Sequence, residues 1–211
     1  MSSQFKVSLL TVSDIPGASA VFFASFNSPK ALVYFPPNAS GKQWFADSIT
    51  AALKNPELGI VHVVVTDESA STEERGRKVV AHSIWVKHSG GKLLAWDQRW
   101  RANPPEGVTR EMLGEEFFAP MVRQHEKNMG ERPHYFLETL STDPEYRKRG
   151  LASMLLQWGT KHADELGWEC YLDAAEAAAP LYRKHGFVQM PETDPGTTSL
   201  PMVRPVMKEF S

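Results

Sequence analysis

Arg147-Lys148-Arg149-Gly150-Leu151-Ala152 joins two stretches of different period. Residues 135–140 before it form a short apolar run of strand length, and residues 151–166 after it carry apolar side chains at helical spacing. The basic turn therefore falls at a helix N-terminus, where the first N–H groups lack partners and the peptide dipoles leave a partial positive charge. Gly150 has no Cβ, so a ligand can come close to the backbone. A ligand carrying phosphate is expected there. The loop is not G-x-x-x-x-G-K-[ST], and G-x-G-x-x-G is missing too, so neither the Walker-type nor the dinucleotide cradle applies.

Working outward, the chain has 211 residues, enough for a sizeable core in one domain or two small ones. Charged residues make up 23% and the formal net charge is −2, which gives no global case for nucleic acid or an anionic membrane surface. No apolar run approaches the ~20 residues of a membrane span, and the first residues lack the apolar core of a signal peptide. The one cysteine, Cys170, excludes an internal disulfide and reads as a small buried apolar residue. A cytoplasmic protein is the expectation. Seven histidines are scattered without the spacing of a helical zinc site, so no metal is expected.

With its flanks, residues 139–156, the R-x-x-G-x-A arrangement of Arg147, Gly150 and Ala152 resembles the pyrophosphate motif [RQ]-x-x-G-x-[GA] of the GNAT superfamily of acyl-CoA N-acyltransferases. Downstream, Leu181-Tyr182-Arg183-Lys184-His185-Gly186-Phe187 is similar to that family's late L-Y-x-K-x-G-F. The two pieces cover about residues 135–190 in the family's order. The resemblance implies an α/β fold: a mixed, mostly antiparallel sheet of six or seven strands with helices on both faces, in a single domain over residues 1–211. It implies acetyl-CoA as acyl donor, a small-molecule primary amine as acceptor, and direct transfer in a ternary complex. A homodimer is compatible with it.

The same resemblance implies roles. Leu140, Ser141 and Thr142 would pair their backbone with the pantetheine arm. Arg147, Lys148, Arg149, Gly150, Leu151 and Ala152 would hold the pyrophosphate, with a hydroxyl from Ser153. Tyr182 occupies the general-acid position; a phenol is protonated at neutral pH and can donate to a departing thiolate. Glu138, two residues before the thioester position, is either the base or a carboxylate that binds a cationic acceptor. His134, Asp173 and Glu176 are the other candidate bases. One position departs from the family: Ala175 stands where Asn or Ser often contacts the cofactor arm. Two rival readings stay open, an acyl-CoA-binding module without catalysis and an acyl-CoA hydrolase or decarboxylase.

The remaining elements read from period and punctuation. Residues 5–10, 59–66, 79–86, 169–172 and 187–190 are strands, and residues 200–210 an edge strand interrupted by Pro201 and Pro205. Asp14 caps a helix over 15–26, and the S-x-x-Q box Ser40–Gln43 opens a second one ending at Asn55-Pro56. Residues 27–37 are a loop and 67–77 a polar hairpin loop. Residues 88–130 form an insertion with no clean period, apart from a helix capped by Thr109 that Pro120 would kink. Acceptor specificity is expected in this insertion and the first two helices; the alternatives are a lid or a subunit contact.

Overall fold

A computed structural model of the chain describes residues 4–72 and 76–207. Seven strands form one sheet: β1 (Phe5–Leu9), β2 (Ile60–Thr72), β3 (Gly76–His88), β4 (His134–Thr142), β5 (Glu169–Ala174), β6 (Val188–Gln189) and β7 (Leu200–Arg204), in the order β1-β2-β3-β4-β5-β7-β6. All neighbours are antiparallel except β4 and β5. Helices α1 (Ile15–Ser25), α2 (Pro29–Tyr34), α3 (Ala39–Lys54), α4 (Trp96–Arg99) and α5 (Ala119–Met129) precede β4; α6 (Leu151–Leu166) joins β4 to β5, and α7 (Ala179–Lys184) follows β5. The expected α/β architecture, seven strands with helices on both faces, is present.

Two cores follow from the period-2 alternation of the strands. On one face Val64, Ile84 and Val86 pack with Phe22, Phe45 and Ile49 of α1 and α3 and with Trp100, Leu113 and Phe118 of the insertion. On the other, Val63, Val65, Trp85, Tyr135 and Leu137 pack with Leu151, Leu155 and Leu156 of α6 and with Tyr182. Helix α6 lies very close to the sheet. A Cβ added at Gly159 would come within 2.1 Å of the Trp85 ring, so only glycine fits there.

Several local readings are corrected. Residues 29–34 are a helix, because Ser28 accepts from the Ala31 N–H (3.2 Å) and Pro29 takes the first helical position. The cap of α3 is Asn38, whose Oδ1 accepts from Gly41 N–H at 2.8 Å, while the Ser40 hydroxyl turns to the Glu106 N–H instead. Asp14 does not cap α1. Its Oδ2 accepts from both the N–H and the hydroxyl of Thr11 and pairs with Arg77 at 2.9 Å. Strands β2 and β3 run well into the stretch read as a hairpin loop, whose centre, 73–75, lies outside the described residues, as does the end of the stretch read as the last strand. That last strand, β7, is not an edge, since β6 pairs outside it. Pro201 is tolerated because its carbonyl, and so its missing N–H, faces the β6 side, where the two-residue strand has already ended. In the insertion, Thr109 Oγ1 accepts from Met112 N–H (3.1 Å) as expected, and a π-helical stretch, Met112–Phe118, precedes α5 with Pro120 in its first turn.

Candidate functional site

Strands β4 and β5 pair only from His134↔Glu169 to Leu137↔Leu172, although β4 continues to Thr142 and β5 to Ala174. A bulge explains the parting. Ile84 faces Thr139 and Trp85 faces Leu137, which leaves Glu138 as an extra residue on β4 and bends the strand there. Beyond the bulge β4 follows β3, while β5 stays on β7 through Asp173↔Pro201 and Ala174↔Leu200. The sheet therefore opens into a V whose β4 edge, including Leu140, Ser141 and Thr142, has no β5 partner.

The basic turn lies at the start of α6, just past the end of β4. Asp143 accepts from the Glu145 N–H (3.1 Å), and Lys148 (φ +62°) and Gly150 (φ +82°) then both take left-handed conformations. A non-glycine residue there costs about 1–2 kcal/mol. A Cβ on Gly150 would meet nothing within 4 Å, so glycine serves the backbone conformation and leaves open space above it. The first helical bond is Met154 N–H to Gly150 C=O at 3.0 Å. The N–H groups of Leu151, Ala152 and Ser153 thus precede the ladder, the arrangement an anion needs. Arg147, Lys148 and Arg149 are exposed, and the Arg149 guanidinium lies 4.9 Å over the Tyr146 ring. The Leu151 side chain is core, so only its backbone is available to a ligand. The Ser153 hydroxyl is already in contact with His185 Nε2 at 3.0 Å.

At the neck of the V, on the α1–α3 face, is a cavity of about 410 Å³. Its apolar wall includes Phe22, Phe26, Phe35, Phe117 and Met121, and its polar lining includes Glu138, Thr139 and Asp173. Residues 93–122 of the insertion contribute much of this wall, where acceptor specificity was expected. Glu138 is held hard: its Oε1 accepts from Arg99 Nε at 2.7 Å and from Trp100 Nε1 at 2.9 Å, with both ion-pair side chains under one-tenth exposed. Asp173 takes two donors on Oδ1, Gln124 Nε2 at 2.6 Å and the Tyr171 hydroxyl at 2.9 Å. Burial pushes its carboxyl up to about 7 against those two bonds.

Tyr182 belongs to the other face. It is 8% exposed, packs edge-on against Phe187 at 5.9 Å, and burial raises its phenol to about 12, so it is a proton donor at neutral pH. Of the other candidate bases, Glu176 is exposed on the cavity wall, whereas His134 is fully buried and does not line it. His134 Nδ1 faces the Arg132 carbonyl at 2.6 Å and so carries the proton, which makes its Nε2 the acceptor for His125 Nε2–H, also at 2.6 Å. Ala175 is exposed and lines the cavity. Cys170 is buried and its thiol is pushed up to about 12 by burial, as fits a packing residue. Arg99 and Gln124 were not singled out for function from sequence, and Trp100 was read only as one of several aromatics suited to a small, partly apolar acceptor. Arg99 and Trp100 lie in the aperiodic stretch, and Gln124 looks like any polar position on a helix. Among the described residues no group of three or more His, Cys, Asp or Glu could hold a metal ion. No helix among them is long and apolar enough to cross a membrane.

Residues 117–189 match the family model of the acetyltransferase (GNAT) domain. No curated protein matches the chain in sequence. Among solved structures it is similar to the histone acetyltransferase HPA2 and related acetyltransferase from Corynebacterium glutamicum (23% identity, 99% of this chain and 100% of that one, TM-score 0.56). It is similar also to the ribosomal-protein-S18-alanine N-acetyltransferase from Escherichia coli (15%, 98% and 98%, TM-score 0.53). A third neighbour is the PaiA N-acetyltransferase from Thermoplasma acidophilum in complex with coenzyme A (15%, 97% and 99%, TM-score 0.54). The chain therefore has the GNAT fold throughout, and its stretch from the end of the insertion to β6 matches the GNAT acetyltransferase family.

Proposed function

We propose that the chain transfers an acyl group, acetyl in the first instance, from acyl-CoA to a primary amine of a small molecule by direct attack in a ternary complex, in the cytoplasm. The observation that carries this reading is the V between β4 and β5, with an anion-suited turn beyond its open end and, at its neck, a largely apolar cavity lined by the carboxylates of Glu138, Asp173 and Glu176. The pyrophosphate sits on the N–H groups that open α6, with Arg147, Lys148 and Arg149 adding attraction. The pantetheine lies along Leu140, Ser141 and Thr142 as a substitute strand, and the thioester carbonyl accepts a backbone N–H near Leu140. The Thermoplasma neighbour is in complex with coenzyme A, which supports coenzyme A as the ligand. Tyr182 donates to the leaving thiolate. Glu138 takes the acceptor's proton or holds its positive end. A cavity of about 410 Å³ fits a small acceptor.

The test is CoA release by the purified chain from acetyl-CoA over a panel of amines, with a no-acceptor control. Amine-dependent release that falls about 10²-fold or more in Tyr182→Phe supports the reading. Tight acetyl-CoA binding without turnover on any amine would make the chain a binding module. Release without acceptor would make it a hydrolase.

A further inference from the structure

We propose that Asp173 is the base of this site and that its acceptor enters as a primary ammonium on an aromatic or branched aliphatic body. The proposal rests on the acyl-transfer reading above. Asp173 is the first β5 residue past the last β4–β5 pair, and it lines the cavity at the neck of the V, where the thioester would lie. Both of its bonds fall on Oδ1, and no donor among the described residues reaches Oδ2.

The two donors are themselves fixed. Tyr171 is stacked on His125 with centroids 4.0 Å apart and planes 9° from parallel. Gln124 accepts from the Asp194 N–H (3.0 Å) on Oε1, and its Nε2 also reaches the Ser199 carbonyl at 3.3 Å. Asp194 is clamped in turn by Arg123 at 2.9 and 3.0 Å. One carboxylate oxygen is thus anchored through β5, α5 and the loop between β6 and β7, while the other is left for a ligand.

Glu138 is placed differently. It carries a guanidinium on Oε1, so taking a proton would break a buried ion pair. The titratable and charged groups around the cavity that Asp173 lines are Tyr171 on its own strand, His125 from α5, His88 from β3, Glu138 with Arg99 across the cavity, and Glu176 on the wall; Gln124 and Ser199 face it as neutral partners. None of them ion-pairs with Asp173. Burial brings it close to neutrality, where a base works best. The phenylalanine wall accounts for the apolar body, while Lys30 and Lys87 stand exposed at the cavity's edge.

The step balances. One N–H bond of the ammonium breaks and its proton goes to Asp173. The freed lone pair forms the C–N bond at the thioester carbonyl carbon, and the C–S bond breaks as the tetrahedral adduct collapses. Tyr182 gives its proton to the sulfur, and the second proton shed by the nitrogen replaces it. The products are the amide and CoA thiol, and Asp173 releases one proton to solvent.

The experiment is a pH profile of kcat/KM for the full chain with acetyl-CoA and 2-phenylethylamine, alongside calorimetric titration of acetyl-CoA. The wild type should show an ascending limb near pH 7, well below the amine's own titration at about 10. Asp173→Asn should lose that limb and about 10²-fold or more in kcat while binding acetyl-CoA as before; Asp173→Glu should recover part of the rate. Tyr171→Phe removes a bond to the charged carboxylate and should move the limb to higher pH, which a purely structural role would not do. Glu138→Gln should keep the limb. A limb that survives in Asp173→Asn, or vanishes in Glu138→Gln, overturns the assignment alone. Absence of turnover by the wild type on any amine, with acetyl-CoA bound, overturns the acyl-transfer reading and this proposal with it.

Discussion

Gly150 concentrates the donor half of the site in one backbone conformation. Its φ of +82° is one an alanine enters only with strain, yet the space above it is empty. Gly150→Ala should therefore fold with a loss of about 1 kcal/mol, read from urea unfolding. A loss below a few tenths would mean the turn relaxes to another conformation. Tyr182 makes the complementary case on the other face: its phenol is protonated throughout the neutral range because burial raises it to about 12. Tyr182→Phe removes a hydroxyl with no partner among the described residues, so unfolding should change little while kcat falls. An unchanged kcat would remove Tyr182 from the chemistry. Gly150 and Tyr182 were legible in the sequence because each lies in a local motif of fixed spacing. Arg99, Trp100 and Gln124 were not, because their partners Glu138, Asp173 and Asp194 lie 38 to 70 positions away.

Among the elements, α6 links the two halves of the site, since its N-terminus forms the turn and its body packs on Trp85 beneath β3 and β4. Gly159→Ala places a methyl at 2.1 Å from that ring. The helix must lift, with a cost of about 1–3 kcal/mol and a weaker donor site. Thermal unfolding together with acetyl-CoA titration checks both, and an unchanged melting temperature would contradict the packing. The strands and α6 were readable because their apolar residues keep a period. Helix α2 was missed because its six residues bury no side chain fully, which left only the Ser28-Pro29 cap as a signal. The bulge at Glu138 left no trace in composition; it exists only as a register between β3 and β4. So the strand that carries the site was legible and the opening beside it was implied by the family resemblance, but the bulge that makes the opening was not legible.

Across the whole molecule, five buried histidines set the response to acid. Burial holds His62 and His134 down at about 4, His82 and His125 well below the usual imidazole range, and His88 below it as well. A base depressed in the folded state contributes stability that is complete above its unfolded value of about 6.5 and is lost as pH falls toward the folded one. Asp173 acts oppositely, since its raised carboxyl contributes below the unfolded carboxylate value and loses that contribution as pH rises through about 7. Five groups outweigh one, so the urea midpoint should fall between pH 7 and pH 5; a flat midpoint would mean the histidines are hydrated or charged in the fold. The central claim, that the turn opening α6 and the V beside β4 hold an acyl-CoA, is tested most directly by titrating acetyl-CoA calorimetrically into the wild type and into Gly150→Glu. Micromolar binding by the wild type, lost when bulk and negative charge are set at residue 150, is the predicted result. No binding by a folded wild type, or equal binding by both, would contradict it.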